Sequence, residues 1–280
     1  MASKSEFSMH ELAPAAAPKP WHFDFAEIDS PERLSDSFAL RYEVYCSERN
    51  FLNPERYPTK QEIDQYDNHA VHLGGINQDG VMIGTVRLVL PSSIGFPLFE
   101  HCELFPEYQY LADKKAQQTA AEISRLAISK HYRRRKNDGL YGLAYTNDFD
   151  NVRSGESSGQ SQTIDQVPYR RSKPEIILGL YKALYQASKR QGVTHWFAAM
   201  EKTLIRLLHR FNFDFTPIGP ELDYYGPVVP YIASVAEVEE AVFKNCPELF
   251  AEFMTGLEPE LIPPYARNLY SISGNWLANK

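Results

Sequence analysis

Two periods run through the apolar and polar positions of this chain. After Ser30-Pro31-Glu32, a cap followed by Pro at the first helical position, Leu34, Phe38, Arg41, Tyr42 and Tyr45 recur at helical spacing, which predicts a helix over 31–50. Residues 51–63, with Pro54 and Pro58, read as a loop. Segments 69–76 and 81–90 are strand-like runs. Asn77-Gln78-Asp79-Gly80 between them is a tight-turn signal, so the two are predicted to pair as a hairpin. Residues 91–119 are irregular with one short helix, and 122–130 form a third strand. The clearest helix is 174–190: Pro174 starts it, Ile176, Ile177, Leu180, Tyr181, Leu184 and Tyr185 share one face, and Gly192 ends it. His195 to Met200 is a buried strand, and 201–211 a helix with Leu204, Ile205, Leu207, Leu208 and Phe211 inward. Phe213 to Pro217 and Val228 to Val235 read as closing strands, 236–255 as a last helix, and 259–264 as a Pro-rich stretch.

The order is helix, hairpin, strand, helix, strand, helix, strand. It predicts an α/β fold of the α+β kind, with a mixed sheet carrying helices on both faces. One domain is expected over 21–256, with an insertion near 137–173 inside the polar segment 131–173 and a C-terminal tail over 257–280. The first twenty residues, with Ala-Pro repeats from Ala13 to Pro20, read as a disordered arm and not as a signal peptide.

Composition narrows the function. At 43% hydrophobic and 23% charged residues, the 280-residue chain is globular. The formal net charge of −7 argues against nucleic acid as a partner. No apolar run approaches the ~20 residues of a membrane span, which leaves only peripheral membrane contact open. The three widely spaced cysteines, Cys46, Cys102 and Cys246, fit no zinc spacing and imply reduced thiols in a cytoplasm. His69 and His72 form an H-x-x-H pair, but on a strand positions three apart face opposite ways, so no metal is expected.

The charged positions are more telling. Arg87 sits inside the apolar run Val81 to Leu90, and Arg125 inside Glu122-Ile123-Ser124-Arg125-Leu126. A cation in mid-strand is costly to bury unless paired. Three carboxylates, Glu62, Asp64 and Asp67, lie just upstream, and Arg41 on the first helix adds a third cation. Gathered by strands, these groups make a polar floor able to orient a small polar substrate.

Arg41; Glu62, Asp64 and Asp67; Gly84, Arg87 and Leu88; and Glu122, Ser124 and Arg125 stand in the order of four motifs. An arginine on the first helix, E-x-D-x-x-D, a G-x-x-R-L strand and an E-x-S-R strand define them. On these motifs the chain resembles the GNAT fold, and within it the acyl-homoserine-lactone synthases and N-acyl amino acid synthases. Phe51 stands where the synthases have Trp. The length, the 137–173 insertion and the C-terminal extension look most like the acyltransferases associated with exosortase (PEP-CTERM) systems.

The resemblance implies a mostly antiparallel GNAT-like sheet and N-acyl transfer by thioester aminolysis. Its donor would be the acyl-phosphopantetheine arm of acyl-carrier protein, with no bound cofactor, and its acceptor an amine such as an amino acid. It also implies Glu122 as the base and the floor residues with Ser124 as substrate contacts. Backbone N–H groups of Ile128, Ser129 and Lys130 would hold the oxyanion and pantetheine. Tyr, Phe and Leu side chains of 174–190 and 195–200 would line an acyl tunnel. Coenzyme-A-dependent members carry a Gly-rich loop after the third strand. Here that stretch is Lys130-His131-Tyr132-Arg133-Arg134-Arg135-Lys136, basic and without glycine, so Arg133, Arg134, Arg135 and Lys136 are the expected rim for an acidic carrier protein. Leu208 occupies the place of the Tyr that protonates the leaving thiolate in many coenzyme-A enzymes of the fold. Two other readings remain: a lactone synthase that uses S-adenosylmethionine, and a non-catalytic module that binds carrier protein or lipid.

Overall fold

The computed structural model describes residues 23–132 and 174–267. Its first element is a strand that the apolar pattern did not reveal, β1 (Phe23–Glu27), whose phenylalanines alternate with Asp24 and Ala26. Five residues on an edge give too short a signal for periodicity. Helix α1 (Pro31–Tyr42) begins as expected, the Ser30 side chain accepting from the Arg33 N–H at 3.3 Å. It does not run on as α-helix to residue 50. From Glu43 to Glu48 the backbone widens into a π-helical turn, a feature often found beside functional sites.

The hairpin is β2 (Ala70–Asn77) and β3 (Met82–Val89), closed by the Asn77 side chain, which accepts from the N–H groups of Asp79 and Val81. After the short helix α2 (Pro97–His101), β4 (Ala120–Ile128) starts two residues earlier than its apolar run suggested. Then follow α3 (Glu175–Arg190), β5 (His195–Met200), α4 (Lys202–His209), β6 (Thr216–Pro217), β7 (Leu222–Asp223) and β8 (Pro227–Ser234). The closing strand expected from Phe213 shrinks to the two residues of β6 because Phe213 turns inward to the core. The single last helix is two, α5 (Val235–Asn245) and α6 (Pro247–Met254), since Pro247 lacks the N–H to continue a helix and starts a new one.

Among the described residues the strands form one mixed sheet in the order β1-β2-β3-β4-β5-β8-β6, with β7 on β8. Every pairing is antiparallel except β4 with β5. Alternation sorts the sheet's two faces. Val86, Leu88, Ile123 and Ile128 meet α3 in the main core, while Thr85, Arg87, Glu122 and Ser124 face the side of α1. Gly84 lets α3 approach: a Cβ there would meet Leu180 and Ile176 at 3.1 and 3.2 Å. The expected tail begins inside the core, where Leu257, Ile262 and Ala266 are buried. The 1–20 arm and the 137–173 insertion lie outside the described residues.

The parallel ladder between β4 and β5 pairs only Ala120 with His195, Ala121 with Trp196 and Glu122 with Phe197. Beyond Glu122 the two strands separate, and that opening is where the site forms.

Candidate active site

Three arginines and three carboxylates meet on the α1 face of the sheet. Arg41 reaches Glu62 through Nε at 2.6 Å and grips Asp67 with both terminal nitrogens at 2.7 and 3.1 Å. Arg87 donates from Nη1 to Asp64 at 2.6 Å and to Asp67 at 2.8 Å, and from Nε to Ser124 Oγ at 3.0 Å. Arg125 bonds Glu62 through Nε at 3.1 Å and Asp64 through Nη2 at 2.9 Å. The charges cancel three against three, as a buried set must. Glu62 is fully buried and Arg41 and Arg87 nearly so, while Asp64 keeps 22% of its side chain exposed and links the network to solvent.

Local backbone explains how a loop supplies three aligned acids. Asp67 accepts from the Asp64 N–H at 2.7 Å, and Asp64 accepts from the Tyr66 N–H at 2.9 Å, so the E-x-D-x-x-D segment folds around its own carboxylates. Burial alone would raise both aspartates. The charge and hydrogen bonds of Arg87 hold Asp64 below its ordinary range, and those of Arg41 do the same, more strongly, for Asp67.

Strand β4 carries a bulge here. Ser124 opposes Arg87 and Ala127 opposes Thr85, so Arg125 and Leu126 together face Val86, and Arg125 adopts φ 53°. Regular alternation would send Arg125 toward α3; the left-handed turn brings it to the α1 face beside Ser124. Its guanidinium lies 4.9 Å from the Tyr225 ring centroid and 5.8 Å from that of Tyr45. Tyr45, on the π-helical turn, donates its hydroxyl to the Leu126 carbonyl at 3.0 Å.

Glu122 stands apart from the ion network. Its Oε2 accepts from the backbone N–H of Leu98, in the first turn of α2, at 2.8 Å. Burial pushes its carboxyl up to about 7, against the pull of the Leu98 bond and the charges of Arg87 and Arg125. A carboxyl poised there exchanges a proton readily at neutral pH.

Glu122 lines a pocket with Ser124, Arg125, Tyr45, Phe51, Tyr224 and Tyr225, floored by Tyr181, Met200 and Leu204. Of the predicted substrate contacts, Ser124 and Arg125 reach this pocket; Arg41, Glu62, Asp64, Asp67 and Arg87 are not in its lining and form the network that fixes Arg125 and Ser124. Of the expected Tyr, Phe and Leu tunnel residues, Tyr181 reaches the pocket, and Ala199 and Met200 of β5 join it there. Leu208 lies in the main core, as does most of the inner face of α3.

Of the stretch expected to hold the oxyanion, Ile128 to Lys130, the middle nitrogen is committed elsewhere. The Ser129 N–H donates to the Ile83 carbonyl at 2.9 Å, extending the β3–β4 ladder past Ile128, so that nitrogen is already used. Lys130 pairs through its side chain with Glu43 at 3.1 Å. Arg133, Arg134, Arg135 and Lys136 lie outside the described residues. Sequence reasoning missed Tyr45, Tyr224, Tyr225 and the Leu98 N–H. Tyr224-Tyr225-Gly226, two aromatics before a turn glycine, was the available signal for the tyrosines; a backbone donor leaves none.

Residues 40–141 match the family model described as an acetyltransferase (GNAT) domain, a stretch that contains all four motifs. No curated protein matches the chain. Among solved structures, TofI, in a ternary complex with an inhibitor and MTA, is 18% identical at a TM-score of 0.51, covering 86% of this chain and 98% of its own. The AHL synthase LasI is 16% identical at 0.51, with 80% and 95% covered. BjaI, a CoA-dependent acyl-homoserine lactone synthase solved with MTA, is 16% identical at 0.50, with 87% and 91% covered. At such identities the likeness is one of fold. The sheet order, its split between β4 and β5 and the matched stretch agree: this chain has the GNAT fold, with residues 40–141 matching its acetyltransferase domain.

Proposed function

We propose that the protein is an N-acyltransferase that moves a fatty acyl chain from acyl-carrier protein to an amine acceptor, an amino acid being the favoured class. The observation that carries this reading is Glu122, a carboxyl raised toward neutrality at the point where β4 and β5 part. The acceptor must be uncharged to attack a thioester, and Glu122 is placed to take its proton.

The chemistry balances through that one group. The amine nitrogen attacks the carbonyl carbon, a C–N bond forms, and the carbonyl π pair moves to oxygen. Glu122 takes a proton from nitrogen. The oxygen pair then returns, the C–S bond breaks, and its electrons leave on sulfur. A thiol with pKa near 8.5 draws the proton back from a carboxyl near 7, so Glu122 serves first as base and then as acid. In this scheme Arg125 and Ser124 contact the acceptor, and Arg41, Glu62, Asp64, Asp67 and Arg87 hold them. Ile128, Ser129 and Lys130 border the donor's entry.

The donor reading rests on the basic, glycine-free run from Lys130 to Lys136. An acidic carrier protein is drawn to such a rim, and no loop of the usual kind is offered to a coenzyme-A pyrophosphate. Within this proposal we favour the exosortase-associated branch, on the resemblance of the chain's length, its 137–173 insertion and its C-terminal extension. The free thiols of Cys46, Cys102 and Cys246 suit a cytoplasmic enzyme. No helix among the described residues is long and apolar enough to cross a membrane.

A second reading, a lactone synthase that takes S-adenosylmethionine as acceptor, draws on the fold shared with LasI and BjaI. Mass spectrometry of products separates the two. The purified chain is incubated with palmitoyl-carrier protein or palmitoyl-coenzyme A and either an amino-acid mixture or S-adenosylmethionine. The proposal expects N-acyl amino acids, formed faster from the carrier protein. Acyl-homoserine lactone as sole product supports the second reading, and no acyl transfer from either donor overturns both.

A further inference from the structure

We propose that the hydroxyl of Tyr224 is the hydrogen-bond donor to the oxyanion in the thioester aminolysis proposed above, on which this inference rests. A tetrahedral intermediate in a buried pocket needs a donor aimed at its oxygen. The Ser129 N–H donates instead to Ile83. Tyr45 donates its hydroxyl to Leu126, and Tyr181 turns its own toward Met200 Sδ at 3.8 Å. Tyr225 lays its ring over Arg125. Tyr224 lines the pocket together with Glu122 and Arg125, and the charge of Arg125 acts on its hydroxyl.

Arg125 has only N–H groups to offer, so it cannot take up the phenolic O–H, which remains free to donate to a substrate oxygen. The positive charge of Arg125 in the same pocket polarises that O–H and strengthens it as a donor. Burial raises the phenol above its ordinary range despite Arg125, so the hydroxyl keeps its proton at any pH of interest.

The placement is rigid. Asp223 and Pro227 pair at the mouth of the β7–β8 hairpin, and the Tyr224 N–H donates to the Gly226 carbonyl at 3.0 Å. The Gly226 N–H donates to Asp223 Oδ1 at 3.2 Å, with Tyr225 at φ 58° and Gly226 at φ 96°. The Tyr224 ring stacks on His101, 4.4 Å away at 25°, and also packs against the Tyr225 ring, 4.4 Å away and tilted at 36°. Arg125 is locked in turn by Glu62 and Asp64. A donor fixed before the charge develops needs no reorganisation when it does.

Tyr224→Phe keeps the stacked ring and deletes the hydroxyl. In the palmitoyl-carrier-protein assay, kcat should fall by roughly 10²–10³-fold with KM within about threefold of the parent. A tetrahedral phosphonamidate analogue of the acyl–amine adduct should bind the variant weaker by a similar factor, while an unreactive acyl thioether binds both alike. An unchanged kcat, a raised KM at constant kcat, or equal weakening of both analogues overturns the inference and leaves the acyltransferase reading standing. A parent chain that acylates no amine overturns that reading, and the inference with it.

Discussion

Glu122 and Leu98 are joined by a single hydrogen bond, side-chain Oε2 to backbone N–H at 2.8 Å, across the fold from β4 to α2. That bond orients the carboxyl without neutralising it. Burial then sets its affinity for a proton, raising it to about 7 from an ordinary 4.5. The group has become a base suited to neutral pH at the expense of its own charged state.

This raised carboxyl should weaken the fold as pH rises. Between about 4.5 and 7 the folded protein binds the Glu122 proton more tightly than the unfolded chain does, so stability falls with increasing pH, by roughly 3 kcal/mol in all. Glu122→Gln keeps an acceptor for Leu98 and removes the titration. Thermal melts should show the variant matching the parent at pH 5 and exceeding it at pH 8. Parallel melting curves across that range would assign Glu122 an ordinary carboxyl.

Arg87 supports Asp64, Asp67 and Ser124 at once, and its Nη2 is buried without an acceptor among the described residues. Arg87→Ala leaves the network's three acids facing two arginines, and about 3–5 kcal/mol of stability should be lost at pH 7 in a denaturant titration. The loss should shrink in acid. Asp64 and Asp67 are held below their ordinary values, so the stability they contribute is present above pH ~4 and disappears as pH falls through their folded values. An Arg87→Ala protein as stable as the parent at pH 7 would mean that the network is solvated.

Gly226 holds the Tyr224–Tyr225 turn at φ 96° with Phe51 against it, so that a Cβ would sit 3.0 Å from the ring. Gly226→Ala should cost about 1 kcal/mol or more and lower kcat by moving both tyrosines. A variant with the parent's melting temperature and rate would show that the turn has slack.

The basic run should act on encounter. Changing Arg133, Arg134 and Arg135 to Gln should raise KM for acyl-carrier protein, leave kcat unaltered, and flatten the parent's steep dependence on salt. Steady-state kinetics from low to high ionic strength read this directly. Equal use of acyl-coenzyme A and carrier protein, indifferent to these changes, would discard the carrier-protein reading.

Much of the site was legible because burial is selective about charge. Arg87 and Arg125 in apolar strands had to meet acids, and Glu62, Asp64 and Asp67 were the acids within reach. The long helix α3 and the hairpin were plain from period and turn. What escaped was small or made of backbone. β1 and β7 are too short to carry a period. The π-helical turn at Glu43–Glu48 has the residues of an α-helix. The bulge at Arg125 is set by pairing with β3, and the partners of Glu122 and Ser129 are a peptide N–H and a carbonyl that no side-chain pattern announces.

The central claim is that Glu122 is the base for thioester aminolysis, and the pH dependence of kcat for the parent and Glu122→Gln, with palmitoyl-carrier protein and a saturating amino acid, tests it most directly. The parent's rate should climb through a pKa near 7 and level off, and the variant should be slower by roughly 10²–10⁴-fold with that inflection gone. A variant that keeps both the rate and the inflection of the parent would contradict the account.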